Sequence, residues 1–74
     1  MVILVYVYTR HAIEKMGGLG AEKEDVERTI VQGMKWKEEH SEKWHAQMAG
    51  IEVVFARESE NIVIIIVYRE GRAP

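Results

Sequence analysis

The chain has 74 residues, a length that admits one domain, and with no cysteine it has neither disulfides nor Cys-based zinc sites to stabilise it. A domain of this size buries only about 60% of the surface its unfolded chain exposes, so a tight core or a partner has to supply stability. Ten Lys plus Arg against twelve Asp plus Glu give a net charge of −2, and the pI of about 5.9 argues against a generic nucleic-acid binder.

Val2 to Tyr8 is an unbroken run of Val, Ile, Leu and Tyr. It is far shorter than the ~20 residues a membrane span needs, and its β-branched and aromatic content predicts a buried strand. It lacks the basic start and cleavage site of a signal peptide, so a cytoplasmic location without membrane association is expected. Thr9 is a suitable N-cap for a short helix over Arg10 to Met16, stopped by Gly17-Gly18, with Leu19 folding back over its end.

A second helix is expected from about Glu22 to Gln32. Val26, Ile30 and Met34 share one helical face, acids crowd the first turns, and Gly33 is the terminator. Lys35 to Lys43 reads as a charged, solvated connection that contains Trp36. The hydrophobic period then changes from 3.6 to 2. Three strands are expected at Trp44 to Met48, Ile51 to Arg57 and Ile62 to Arg69, with turns at Ala49-Gly50 and Ser59-Glu60. The order β-α-α-β-β-β gives an α+β class: one domain over residues 1–74, two helices on one face of a four-stranded antiparallel sheet.

Two-residue turns set a register in which Trp44 faces Phe55, Ala46 faces Val53 and Met48 faces Ile51, while Phe55, Val53 and Ile51 face Ile64, Ile66 and Tyr68. The core face then holds Trp44, Ala46, Met48, Ile51, Val53, Phe55, Ile62, Ile64 and Ile66. The other face is mixed. It is polar around Lys43, His45, Gln47 and Glu52, apolar around Val54, Ala56, Val63, Ile65 and Val67, and carries Arg69.

The segments Arg10-His11-Ala12, Met16, Glu24-Asp25-Val26, Ile30, Gly33 and Val67-Tyr68, taken in order, resemble the domain-of-unknown-function family 4258 over residues 8 to 69. That family is similar to small ribonuclease toxins of the RelE and BrnT type. The resemblance implies a RelE-like fold, metal-independent RNA cleavage within a toxin–antitoxin system, and RNA and an antitoxin protein as partners. Two features depart from it: Gly18-Leu19-Gly20 stands where the family has Arg-Gly-Ile, and the net charge is acidic where the toxins are usually basic.

The residues themselves offer modest chemistry. Histidine is the residue type suited to general acid–base work near neutral pH, and His11 and His45 form the candidate acid–base pair. Arg69 is the candidate phosphate clamp, with Arg10, Lys43 and Gln47 as candidate substrate-binding residues. Arg57 ends a strand, His40 lies in the charged connection, and Tyr68 is directed to the core. No metal-ligand pattern, phosphate-binding loop or cofactor motif is present. The expected activity is that of a metal-independent endoribonuclease without a cofactor. The alternative is a catalytically silent interaction or dimerisation module of the same fold. A homodimer is expected on either reading, because a long apolar first strand and the patch at Val63, Ile65 and Val67 are too much for so short a chain to cover.

Overall fold

The computed structural model describes residues 4–69. Strand β1 (Val5–Tyr8) leads into helix α1 (Arg10–Leu19) and helix α2 (Lys23–Gln32). Strands β2 (Met34–Lys37), β3 (Lys43–Met48), β4 (Ile51–Glu58) and β5 (Asn61–Arg69) follow. They form one sheet in the order β1-β5-β4-β3-β2, antiparallel throughout except that β1 runs parallel to β5.

The α+β class and the two helices agree with expectation; the four antiparallel strands do not. The sheet has five strands and is mixed. The extra strand is β2, inside the segment read as a solvated connection. Every residue of β2 is exposed, so burial left no alternation in the sequence to reveal it. It forms because Met34 to Lys37 pair with Gln47 to Trp44 on the otherwise free edge of β3. The part of the expected first strand at residues 2–3 lies outside the described residues.

Helix α1 runs three residues past its expected end, through Gly17 and Gly18. Leu19, packed against the core, holds that last turn in place. Gly20 then adopts φ +71°, a left-handed conformation that glycine takes without penalty. The chain closes with Ala21 N–H donating to the Met16 carbonyl at 3.0 Å. Helix α2 starts as expected: Glu22 N–H donates to the Asp25 side chain at 2.9 Å. Gly33 ends it for a different reason. A Cβ there would stand 2.5 Å from the Thr29 carbonyl oxygen and 2.7 Å from that of Gln47, so the chain passes from α2 into β2 only if this residue lacks a side chain.

The core lies between the helices and one sheet face. Ala12, Met16, Val26 and Ile30 meet Ala46, Val53, Phe55, Ile62, Ile64 and Val67, with Tyr6 and Tyr8 packed at one side. The β3–β4 register is as expected, from Lys43 opposite Ala56 to Met48 opposite Ile51. The β4–β5 register holds only as far as Phe55 opposite Ile64. There β5 carries a bulge, and Val54 pairs with Ile66. One extra residue reverses the faces of everything beyond it. Val67 therefore enters the core, while Ile66 and Tyr68 move to the other face. Arg69, opposite Ile51, turns away from the His45 face.

Thr9 holds the bulge and the helix start together. Its hydroxyl donates to the Ile65 carbonyl at 2.9 Å and accepts from Ala12 N–H at 3.1 Å. One side chain thus satisfies a carbonyl at the sheet irregularity and caps α1.

Candidate functional site

The face of the sheet away from the helices divides into two halves. The polar half is centred on Glu52, whose residue is only 7% exposed although it carries a carboxylate. A buried carboxylate needs several donors to stay ionised, and the register supplies them. Gln47 lies directly opposite Glu52 and donates from Nε2 to Oε1 at 3.0 Å. Tyr68, opposite on the other side, donates its hydroxyl to Oε2. His45, two residues along β3, places Nδ1 2.7 Å from Oε2.

The second nitrogen of His45, Nε2, lies 2.6 Å from Oε2 of Glu38, which follows β2. Trp36, opposite His45, stacks on the imidazole with centroids 5.2 Å apart and planes 9° from parallel. Ser41 donates to Glu38 at 2.8 Å and fixes the short connection after β2.

This arrangement dictates the charge of His45. A neutral imidazole has one N–H and can donate to only one carboxylate. With carboxylates on both nitrogens, the doubly protonated ring satisfies both. Burial alone would push the His45 pKa down, but the hydrogen bonds with Glu38 and Glu52 outweigh it, and the pKa is raised above 6.5. Hydrogen bonds from His45 and Ser41 lower the pKa of Glu38. For Glu52, burial opposes ionisation, yet the bonds from Tyr68, His45 and Gln47 prevail and its pKa is also lowered. Burial and the bond to Glu52 push Tyr68 up to about 12.

The cluster is thus an imidazolium between two carboxylates, braced by a phenol, an amide and an indole. It ties β2 and the connection after it to β3, β4 and β5. His45, Glu38 and Glu52 satisfy one another, and among the described residues no group of three or more side chains is placed to hold a metal ion.

Of the expected site residues, the structure brings together His45 and Gln47. Lys43 lies on the same face, opposite Ala56, and is exposed. His11 and Arg10 are elsewhere, on α1, which packs on the helix side of the sheet. His11 is exposed, and Arg10 makes an exposed ion pair with Glu14 at 3.2 Å. The His11–His45 pair is therefore corrected: the two imidazoles belong to opposite sides of the sheet. Arg69 is corrected as well, because the bulge turns it to the helix face. Tyr68, expected in the core, is instead a member of the cluster. His40 is exposed, as its position in the connection suggests.

Sequence reasoning left Glu38, Glu52 and Trp36 out of the site. Glu52 had a signal: a carboxylate within Ile51 to Phe55, facing Gln47 across a two-residue turn and one pleat from His45. Glu38 and Trp36 had none, because their placement depends on β2.

The other half of this face is apolar. Val63 lies opposite Val7 and Ala56, next to Val54 and Ile66. Val5 and Val7, at its edge, are 51% and 41% exposed. Two shallow hollows, of about 270 and 330 Å³, lie on the helix side, and neither borders His45. No helix among the described residues is long and apolar enough to cross a membrane. Comparisons with protein-family models, with curated proteins and with solved structures find no match for this chain.

Proposed function

We propose that this chain is a self-association domain of RelE-like, toxin-type α+β architecture, working through the apolar half of its uncovered sheet face. The observation that carries this reading is the contrast within that face. The polar half is saturated internally, with both nitrogens of His45 and both oxygens of Glu52 engaged. The apolar half ends in Val5 and Val7, 51% and 41% exposed. A small domain that leaves such residues in water gains stability when a partner covers them. The test is the concentration dependence of the amide NMR spectrum of the full chain. Signals of Val5, Val7 and Val63 shift with concentration if the reading holds; a spectrum constant up to high micromolar concentration contradicts it.

A second reading, metal-independent RNA cleavage, is favoured by one observation: Glu52 orients His45 through Nδ1, leaving Nε2 facing a half-buried carboxylate that a phosphate could displace. With Glu38 swung off Nε2 and the Nε2 proton lost to water, the neutral ring would accept the ribose 2′-hydroxyl proton at that nitrogen. The 2′-oxygen would attack phosphorus, and His45 would protonate the leaving 5′-oxygen, giving a 2′,3′-cyclic phosphate. This reading ranks second because two carboxylates flank the imidazolium, and of the candidate cationic residues only Lys43 shares the face. RNA incubated with the chain and a chelator stays intact on the first reading. Cleavage that His45→Ala abolishes would install the second.

A further inference from the structure

The two edges of the sheet are built differently, and the difference names a partner. On the β2 edge, Lys35 and Lys37 place charge along the strand. Charge is a common device for keeping an edge from pairing with another chain. The β1 edge reads Val5-Tyr6-Val7-Tyr8, with no charge, no proline and no bulge.

The parallel pairing with β5 fixes which main-chain groups remain free. Val5 N–H donates to the Glu60 carbonyl and Thr9 N–H to the Ile64 carbonyl, each at 3.1 Å. Alternate residues of a parallel strand bond to the same side. The main-chain N–H and C=O groups of Tyr6 and Tyr8 therefore point outward, and no strand among the described residues pairs with β1 on that side. Helix α1 packs on β5 rather than over this edge. The side chains of Tyr6 and Tyr8 are packed inward, and Tyr8 is fixed by hydroxyl donation to Glu27 at 2.5 Å and by Lys23 over its ring. The strand is thus rigid, extended and open along one side.

We infer that the β1 edge pairs with the β1 edge of a second copy of this chain, antiparallel, about a two-fold axis at Val7, joining two five-stranded sheets into one. This rests on the self-association reading and specifies it. A second copy is the occupant because an uncharged strand meets its own image without like-charge repulsion. A two-fold axis also turns a strand antiparallel to itself. The axis falls at Val7 because the free groups require it. Tyr6 of each chain then exchanges both main-chain bonds with Tyr8 of the other, using every outward group of the strand. The two Val7 residues become a close, non-hydrogen-bonded pair on the uncovered face. Their side chains meet there and extend the apolar half across the seam.

The sequence contains no cysteine, so a single introduced thiol reports on this seam alone. Full-length Val7→Cys is oxidised mildly at a concentration where light scattering shows the wild type to be dimeric, and Met34→Cys serves as the control at the other edge. The inference expects nearly complete disulfide-linked dimer for Val7→Cys and little for Met34→Cys. It also expects Val5→Lys combined with Val7→Lys to be monomeric in light scattering, with an unchanged circular dichroism spectrum. If the wild type associates but Val7→Cys links no better than Met34→Cys, the seam is wrong and the self-association reading survives. A wild type that stays monomeric throughout overturns both. Should the double-lysine variant fail to fold, the cysteine pair still decides.

Discussion

Strands β1 and β2 are the two edges of one sheet, each four residues long, and they are held by opposite means. Strand β1 is anchored by burial: Tyr6 and Tyr8 pack on the core, and Thr9 ties its end to the bulge in β5. Strand β2 buries nothing. It is anchored by its ladder to β3, the Trp36–His45 stack and the Glu38–His45 bond. Its lysines fold back locally, Lys35 onto the Gly33 carbonyl at 3.0 Å and Lys37 onto that of Ser41 at 2.8 Å. The lesson is that a polar cluster of catalytic appearance can have a mechanical task. It fastens a strand that hydrophobic burial does not hold, whereas the edge that burial does hold is paired with β5 on one side alone.

The largest expected effect removes what both edges depend on. Phe55, 6% exposed and next to the bulge, lies in the core that supports β5 and β3 alike. Phe55→Ala should cost about 3–5 kcal/mol in denaturant melts, enough to unfold so small a domain. Val63→Thr, on the uncovered face, should be clearly milder. Equal losses would contradict the assignment of faces.

Next come changes that loosen one edge only. Gly33→Ala drives a methyl group into two backbone carbonyls at the junction of α2 and β2, and should cost about 1–3 kcal/mol, as overpacking does. Its amide-exchange signature should be faster exchange at Trp36 with little change at Val7. Thr9→Ala loses a cap and the partner of the Ile65 carbonyl, and should cost about 1–2 kcal/mol, with the reverse signature.

A subtler effect separates the edges by pH. His45 has a raised pKa in the folded state, so its stabilisation is complete below its ordinary 6.5 and is lost as pH rises through the folded value. Glu38 and Glu52 have lowered pKa values, so theirs is present above the ordinary 4.5 and is lost as pH falls through the folded values. The fastening of β2 should therefore be strongest between about pH 4.5 and 6.5. Thermal melts over that range and above it should show stability declining toward alkaline pH. His45→Gln should flatten the decline.

Much of the fold was legible in the sequence, for reasons that particular residues make plain. The change of period after residue 43 and the two-residue turns located β3, β4 and β5 and the register of the first hairpin. Acids before Val26 and glycine at 33 bounded α2. What escaped depended on contacts rather than pattern. Four exposed residues carry no periodicity, so β2 was invisible. Ile64-Ile65-Ile66 is chemically uniform, so nothing marked where the bulge falls, and the error moved Tyr68 and Arg69 to the wrong faces. His45 was legible because it alternates with Ala46 in a strand. Its partners were not, because Glu38 reaches it through an unforeseen strand and Tyr68 through an unforeseen bulge.

The contrast between the edges can be read residue by residue in amide hydrogen exchange measured over a series of protein concentrations. In β2, Glu38 N–H donates to the Lys43 carbonyl, so antiparallel alternation turns the amides of Lys35 and Lys37 outward, as those of Tyr6 and Tyr8 point outward in β1. All four should exchange readily in dilute solution. As concentration rises, Tyr6 and Tyr8 should become protected together while Lys35 and Lys37 stay unprotected. Protection that appears at Lys35 and Lys37 instead, or at none of the four, would contradict the account.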